Sequence, residues 1–142
     1  MPQTKILIDS NVYFRLAESI HPLLQIEFGK DKYCLYVIKE LQSEYDKSTR
    51  LKSTFYWVNE SKYKKNRSCE LNISRKDKLE IAQVFDFIKN YARDLYTDVS
   101  RVDITALAYA YVLNIQIVTD DFDMLALAEA FNIKTLKTLE LL

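Results

Sequence analysis

The sequence predicts an α/β fold, with a central, mostly parallel sheet between two layers of helices (three-layer α/β/α). Three observations carry this. Short apolar runs of strand length alternate with longer runs of helical spacing, which implies parallel strands joined by helical crossovers. One helical run, 104–113, is apolar on nearly every side, as a central buried helix is. Two of the strand-like runs end directly on Asp, at Asp9 and at Asp120-Asp121, and Asp is a residue type that starts helices.

The elements follow in order. Lys5-Ile6-Leu7-Ile8 is a first strand, and Asp9, Ser10 and Asn11 are all good caps for the helix after it. That helix carries Val12, Leu16, Ile20, Leu23, Leu24 and Ile26, with Pro22 bending or dividing it. Gly29, the only glycine of the chain, stands where the pattern ends. Residues 33–38 form a second strand of aromatic and β-branched types, and a helix with Leu41 and Tyr45 one turn apart begins near Ile38 or Lys39. Residues 46–68 admit either a helix or a packed loop at 55–58, before a basic connection at 62–67. Ser74 caps an amphipathic helix through Tyr91. Ser100 and Asp103 have the spacing of a capping box ahead of the apolar helix. A strand at 115–118, a helix at 125–131 and a last strand at 133–136 complete the chain.

The 142 residues suit a single domain, residues 1–142, large enough to bury a core without staples. Two cysteines, Cys34 and Cys69, build no disulfide framework and read as reduced thiols. His21 has no partner at ligand spacing and reads as a surface residue. No apolar run approaches the ~18 residues of a membrane span, and the first residues are not those of a signal peptide. A cytoplasmic protein with no membrane contact is the expectation.

The net charge is zero but unevenly spread. Residues 1–46 carry five Lys/Arg against seven Asp/Glu, net −2; residues 47–78 carry ten against three, net +7; residues 79–142 carry five against ten, net −5. A basic middle between acidic flanks suits a polyanion-binding arm beside a metal-binding pocket; a solvated, lysine-rich surface explains it equally well.

The acids carry the functional argument. In open parallel sheets, ligands bind beyond the carboxyl ends of the strands. Asp9 ends the first strand, and Asp120 and Asp121 end the third. Glu40 falls just past the second strand, with Glu44 one turn on, and Asp103 opens the apolar helix. Each acid alone is explained by capping or by the helix dipole. Brought together they repel, and a hard divalent cation with oxygen ligands is the simplest neutraliser.

These residues resemble the PIN-domain nucleases, which include VapC-type toxins. The resemblance spans nearly the whole chain and lies in Ile6-Leu7-Ile8-Asp9-Ser10-Asn11, Val37-Ile38-Lys39-Glu40-Leu41, the segment from Ser100 through Asp103 to Ala108, and Ile117-Val118-Thr119-Asp120-Asp121-Phe122-Asp123. It implies an endoribonuclease dependent on Mg²⁺ or Mn²⁺, with Asp9, Glu40, Asp103 and Asp121 as its acids. Asp9, Asp103, Asp121 and Asp123 would ligate metal; Ser10, Asn11 and Thr119 would orient the carboxylates; Lys62, Lys64, Lys65 and Arg67 would hold the RNA backbone. It further implies the toxin role of a toxin–antitoxin pair, with an antitoxin protein as partner and a homodimer as assembly. A catalytically inactive RNA- or protein-binding module is the alternative. A haloacid-dehalogenase-like phosphatase fits poorly, because it needs a second Asp where Asn11 stands. Trp57, Tyr56 and Phe55 offer rings for base stacking, but packing is the weightier reading.

Overall fold

Four parallel strands, β1 (Thr4–Ile8), β2 (Tyr33–Tyr36), β3 (Gln116–Val118) and β4 (Thr135–Leu136), form one sheet in the order β2-β1-β3-β4. This computed structural model describes residues 4–9, 12–14, 32–60, 71, 73–95 and 99–137. The helices are α1 (Lys39–Lys47), α2 (Thr49–Thr54), α3 (Arg75–Asp94), α4 (Arg101–Leu113) and α5 (Phe122–Ala130), with a 3-10 turn at Tyr56–Asn59. Residues 12–14 are also helical. No described helix is long and apolar enough to cross a membrane.

The strands bury both faces, as strands of a parallel sheet sandwiched by helices must. Successive side chains of β1 go to opposite sides: Ile6 and Ile8 join one cluster, Leu7 the other. The first cluster packs under residues 12–14, Leu41 and Tyr45 of α1, and the 3-10 turn through Trp57 and Val58. The second packs under α3, α4 and α5, with Ile88, Leu107 and Leu127 fully buried. Cys34 is a buried free thiol of β2. The result is the three-layer architecture the sequence implies.

Local sequence explains most element ends. Ser74 and Asp77 close a reciprocal capping box at α3. Ser100 Oγ accepts from the Asp103 N–H at 3.2 Å and starts α4. With a single glycine in the chain, left-handed turns fall on other residues: Asn114 (φ 54°) ends α4, Asn132 (φ 57°) follows α5, and Lys32 (φ 53°) leads into β2. Of residues 55–58, Phe55 ends α2 and the rest enter the 3-10 turn Tyr56–Asn59, with Trp57 buried and Tyr56 exposed. α5 begins at Phe122, three residues before the apolar run from Leu125, because Asp121 caps it. β2, β3 and β4 are also shorter than the apolar runs that announce them; Ile38, for instance, already serves as the cap residue of α1.

The connection from β1 leads to β2 on one side, and the path from β2 returns to β3 on the other. The crevice between the carboxyl ends of β1 and β3 is therefore the topological switch point, where α/β sheets place their ligands.

Candidate functional site

Asp9 follows β1 directly and is only 1% exposed. Its Oδ1 accepts from the Val12 N–H at 2.7 Å and its carbonyl accepts from the Tyr13 N–H at 3.0 Å, so Asp9 caps the helical residues 12–14. Its Oδ2 accepts from the Thr119 hydroxyl. Thr119 follows β3, is fully buried, and its Oγ1 accepts in turn from the Asp121 N–H at 3.2 Å. Asp121 caps α5: its Oδ1 takes the N–H groups of Asp123 (2.8 Å) and Met124 (3.1 Å), leaving Oδ2 outside the cap. One threonine hydroxyl thus ties together the two acid turns beyond β1 and β3.

Burial pushes the Asp9 carboxyl up to about 6; the Thr119 and Val12 hydrogen bonds oppose this, and the nearby charges of Asp103 and Asp121 add to it. Asp103, on the first turn of α4, is 5% exposed. Three carboxylates from three segments therefore share one electrostatic neighbourhood. Each stands at a helix start, where the positive end of the backbone dipole offsets part of their repulsion.

The two glutamates of α1 have different surroundings. Glu40 is held elsewhere: both of its carboxylate oxygens accept from the Tyr109 hydroxyl, at 3.0 and 3.3 Å. Glu44, one turn along α1, faces Asp103; burial and then the Asp103 charge raise its pKa, and its buried Oε2 has no hydrogen-bond partner among the described residues. α1 runs antiparallel to α4 at this contact. Its first turn consequently meets Tyr109, and its second meets Asp103 near the start of α4.

Asp120 is exposed, and with Asp9 and Asp121 it lines a cavity of about 700 Å³. Asp123 is half-buried on the first turn of α5, its N–H bound to Asp121, and is not part of that lining. Ser10, Asn11, Lys62, Lys64, Lys65 and Arg67 lie outside the described residues, as do His21, Pro22, Gly29 and Cys69. The cavity also exposes Arg50 of α2, a residue the sequence reading did not single out among the ten cations of its stretch.

Among the described residues, no group of three or more His, Cys, Asp or Glu side chains stands ready to coordinate a metal ion. The donor chemistry nevertheless fits a hard divalent cation. Mg²⁺ keeps most of its waters and needs only one or two protein carboxylates. Glu44 Oε2, buried and with no hydrogen-bond partner among the described residues, is an oxygen donor of the kind such an ion takes.

No protein-family model matches the sequence, and no curated protein sequence matches it. Solved structures do. FitAcB from Neisseria gonorrhoeae matches with a TM-score of 0.56 and 14% identity, over 92% of this chain and 95% of that one. VapBC-1 from nontypeable Haemophilus influenzae matches at 0.62 and 11%, over 94% and 98%. VapBC2 from Rickettsia felis, solved bound to a DNA fragment from their promoter, matches at 0.52 and 10%, over 94% and 98%. At 10–14% identity the likeness is one of fold: this chain shares the α/β architecture of these structures.

Proposed function

We propose that the protein is a metal-dependent endoribonuclease of the PIN type. The observation that carries this is Asp9, a buried carboxylate at the sheet's switch point within electrostatic reach of Asp103 and Asp121. Asp9, Asp121 and Asp103 would hold Mg²⁺ or Mn²⁺, with Glu44 in the fourth place and Glu40 outside the site. Such an ion supplies an activated water and positive charge for the departing oxygen of a phosphodiester. Water adds to phosphorus in line and the bond to the 3′ oxygen breaks, giving 5′-phosphate and 3′-hydroxyl ends. Thr119 and the Val12 N–H fix the Asp9 oxygens, so that the carboxylate need not reorganise as charge develops.

RNA as substrate rests on the family resemblance, as do the toxin role, an antitoxin partner, a homodimer and Lys62, Lys64, Lys65 and Arg67 as backbone contacts. The fold likeness to FitAcB and the two VapBC structures supports the same reading. The deciding experiment incubates a mixed RNA pool with the purified protein in Mn²⁺ or in EDTA, beside Asp9→Asn and Asp103→Asn. Cleavage by the wild type alone, lost in EDTA, is expected. Full activity of folded Asp9→Asn overturns the reading, and metal-independent RNA binding with no cleavage of any substrate replaces it with a binding module.

A further inference from the structure

The cavity at the acids is lined by two unlike sets of residues: Asp9, Asp120 and Asp121 are one, and Arg50 with the apolar Phe14 and Phe55 is the other. Arg50 is exposed and, among the described residues, makes no hydrogen bond or ion pair, although three carboxylates line the same cavity. An arginine that pairs with none of these described carboxylates is available to an anion brought from outside. Its planar fork matches a phosphate with two parallel hydrogen bonds.

The aromatic side is rigidly built. Phe55 stacks on Phe14 with centroids 5.1 Å apart and rings 18° from parallel, and it meets Trp57 edge-on at 6.3 Å. The Tyr45 hydroxyl donates to the Phe55 carbonyl at 2.9 Å, fixing the backbone where α2 ends. Phe55 stays partly exposed to the cavity while Phe14 supports it from within. A cation unpaired among the described residues, a supported ring face and about 700 Å³ of space suit a ligand that is anionic at one end and flat and apolar at the other. A nucleotide within a strand is such a ligand.

We propose that Arg50 and Phe55 form the strand-holding wall of this cavity: Arg50 takes a phosphate adjacent to the one that is cut, and Phe55 stacks the base beside it. This deepens the nuclease reading and rests on it for the identity of the strand. The wall makes a contact that does not depend on pairing partners of the base, because every base presents a π-face. It also keeps the strand's negative charge over a cation while the scissile phosphate lies against the acids.

The test is a crossed binding measurement in EDTA at low salt, where cleavage does not consume the probe. A short fluorescent RNA of mixed sequence is compared with an abasic ribose-phosphate strand of equal length, using wild type, Arg50→Ala, Arg50→Lys and Phe55→Leu. Arg50→Ala should weaken both strands and reduce the slope of log affinity against log salt by about 0.7. Arg50→Lys should restore that slope. Phe55→Leu, which retains apolar volume, should weaken the RNA by roughly tenfold and leave the abasic strand unchanged. Thermal melts confirm that each variant is folded, and Phe55→Tyr, which keeps the ring, stands in if the leucine variant is not, with RNA affinity expected to hold. An unchanged salt slope in Arg50→Ala, equal weakening of both strands by Phe55→Leu, loss of RNA affinity in folded Phe55→Tyr, or no RNA binding by wild type overturns the wall. Wild-type binding with these patterns but no cleavage in Mg²⁺ or Mn²⁺ sinks the nuclease reading and leaves the wall standing.

Discussion

The Thr119 hydroxyl donates to Asp9 across the gap between β3 and β1, joining residues 110 positions apart at the floor of the acid cavity. Because the same oxygen accepts the Asp121 N–H, one group sets the spacing of two acid turns. Thr119→Val preserves shape and removes both bonds. The loss should destabilise the protein by about 1–3 kcal/mol, since Asp9 Oδ2 and the Asp121 N–H lose their partner next to a buried site. A hydrogen bond that favours the charged carboxylate is also lost, so the Asp9 pKa should climb further above 6. Thermal melts and carboxyl-carbon NMR titration read the two effects, and Thr119→Ser should restore both. Wild-type stability together with an unmoved Asp9 titration in the valine variant would show that the hydroxyl has no such role.

Asp9 also gives the metal-free protein a pH dependence of definite sign. Below its ordinary value of 3.8 the carboxyl is protonated in both folded and unfolded chains; above about 6 it is ionised in both. Between these, the folded chain keeps a proton that the unfolded chain has released. Stability therefore falls as pH rises from 3.8 to about 6, by about 3 kcal/mol at the full shift, and stays low above it. Glu44 acts in the same direction. Urea unfolding in EDTA across this range should show the fall in wild type and a flatter profile in Asp9→Asn. Identical profiles for the two proteins would refute it.

The sheet and its helices were legible because their signals are local. The apolar alternation of β1, the Ser74 capping box and the buried helix α4 each sit within one stretch of chain. Asp9 and Asp121 were legible as site candidates for the same reason, since Asp9 follows β1 directly and Asp121 stands three residues past β3. The choice between Glu40 and Glu44 was not. Both face the same way on α1, one turn apart, and only the path of α4 decides which meets Tyr109 and which meets Asp103. Arg50 was hidden differently: nothing in its neighbourhood of cations marks the one that the fold of α2 brings to the acids.

That assignment on α1 separates two variants that sequence treats alike. Glu44→Gln should reduce cleavage by about a hundredfold or more, because it removes a carboxylate facing Asp103. It should leave stability equal or higher, because a buried charge beside another of like sign disappears. Glu40→Gln should cleave RNA at nearly the wild-type rate. Tyr109→Phe should cost about 1–2 kcal/mol of stability through loss of the bond to Glu40, again with little change in cleavage. The reverse order of activities, with Glu40→Gln dead and Glu44→Gln active, would return the fourth place to Glu40.

Divalent metal should act on the folded protein before any substrate is present. Burial raises Asp9 most, and the charges of Asp103 and Asp121 add to it; positive charge among the three opposes both, and a Mg²⁺ or Mn²⁺ ion bound there binds the folded chain alone. At a hundred times its dissociation constant such an ion adds about 2.7 kcal/mol of stability. For a chain of this size that raises the melting temperature by about 5–10 °C. The same ion lowers the Asp9 pKa, so the fall in stability between pH 3.8 and about 6 should flatten when metal is present. Asp9→Asn and Asp121→Asn should melt at temperatures insensitive to metal, and EDTA should reverse the wild-type shift. A wild-type melting temperature that neither ion moves would mean that these carboxylates gather for something other than metal.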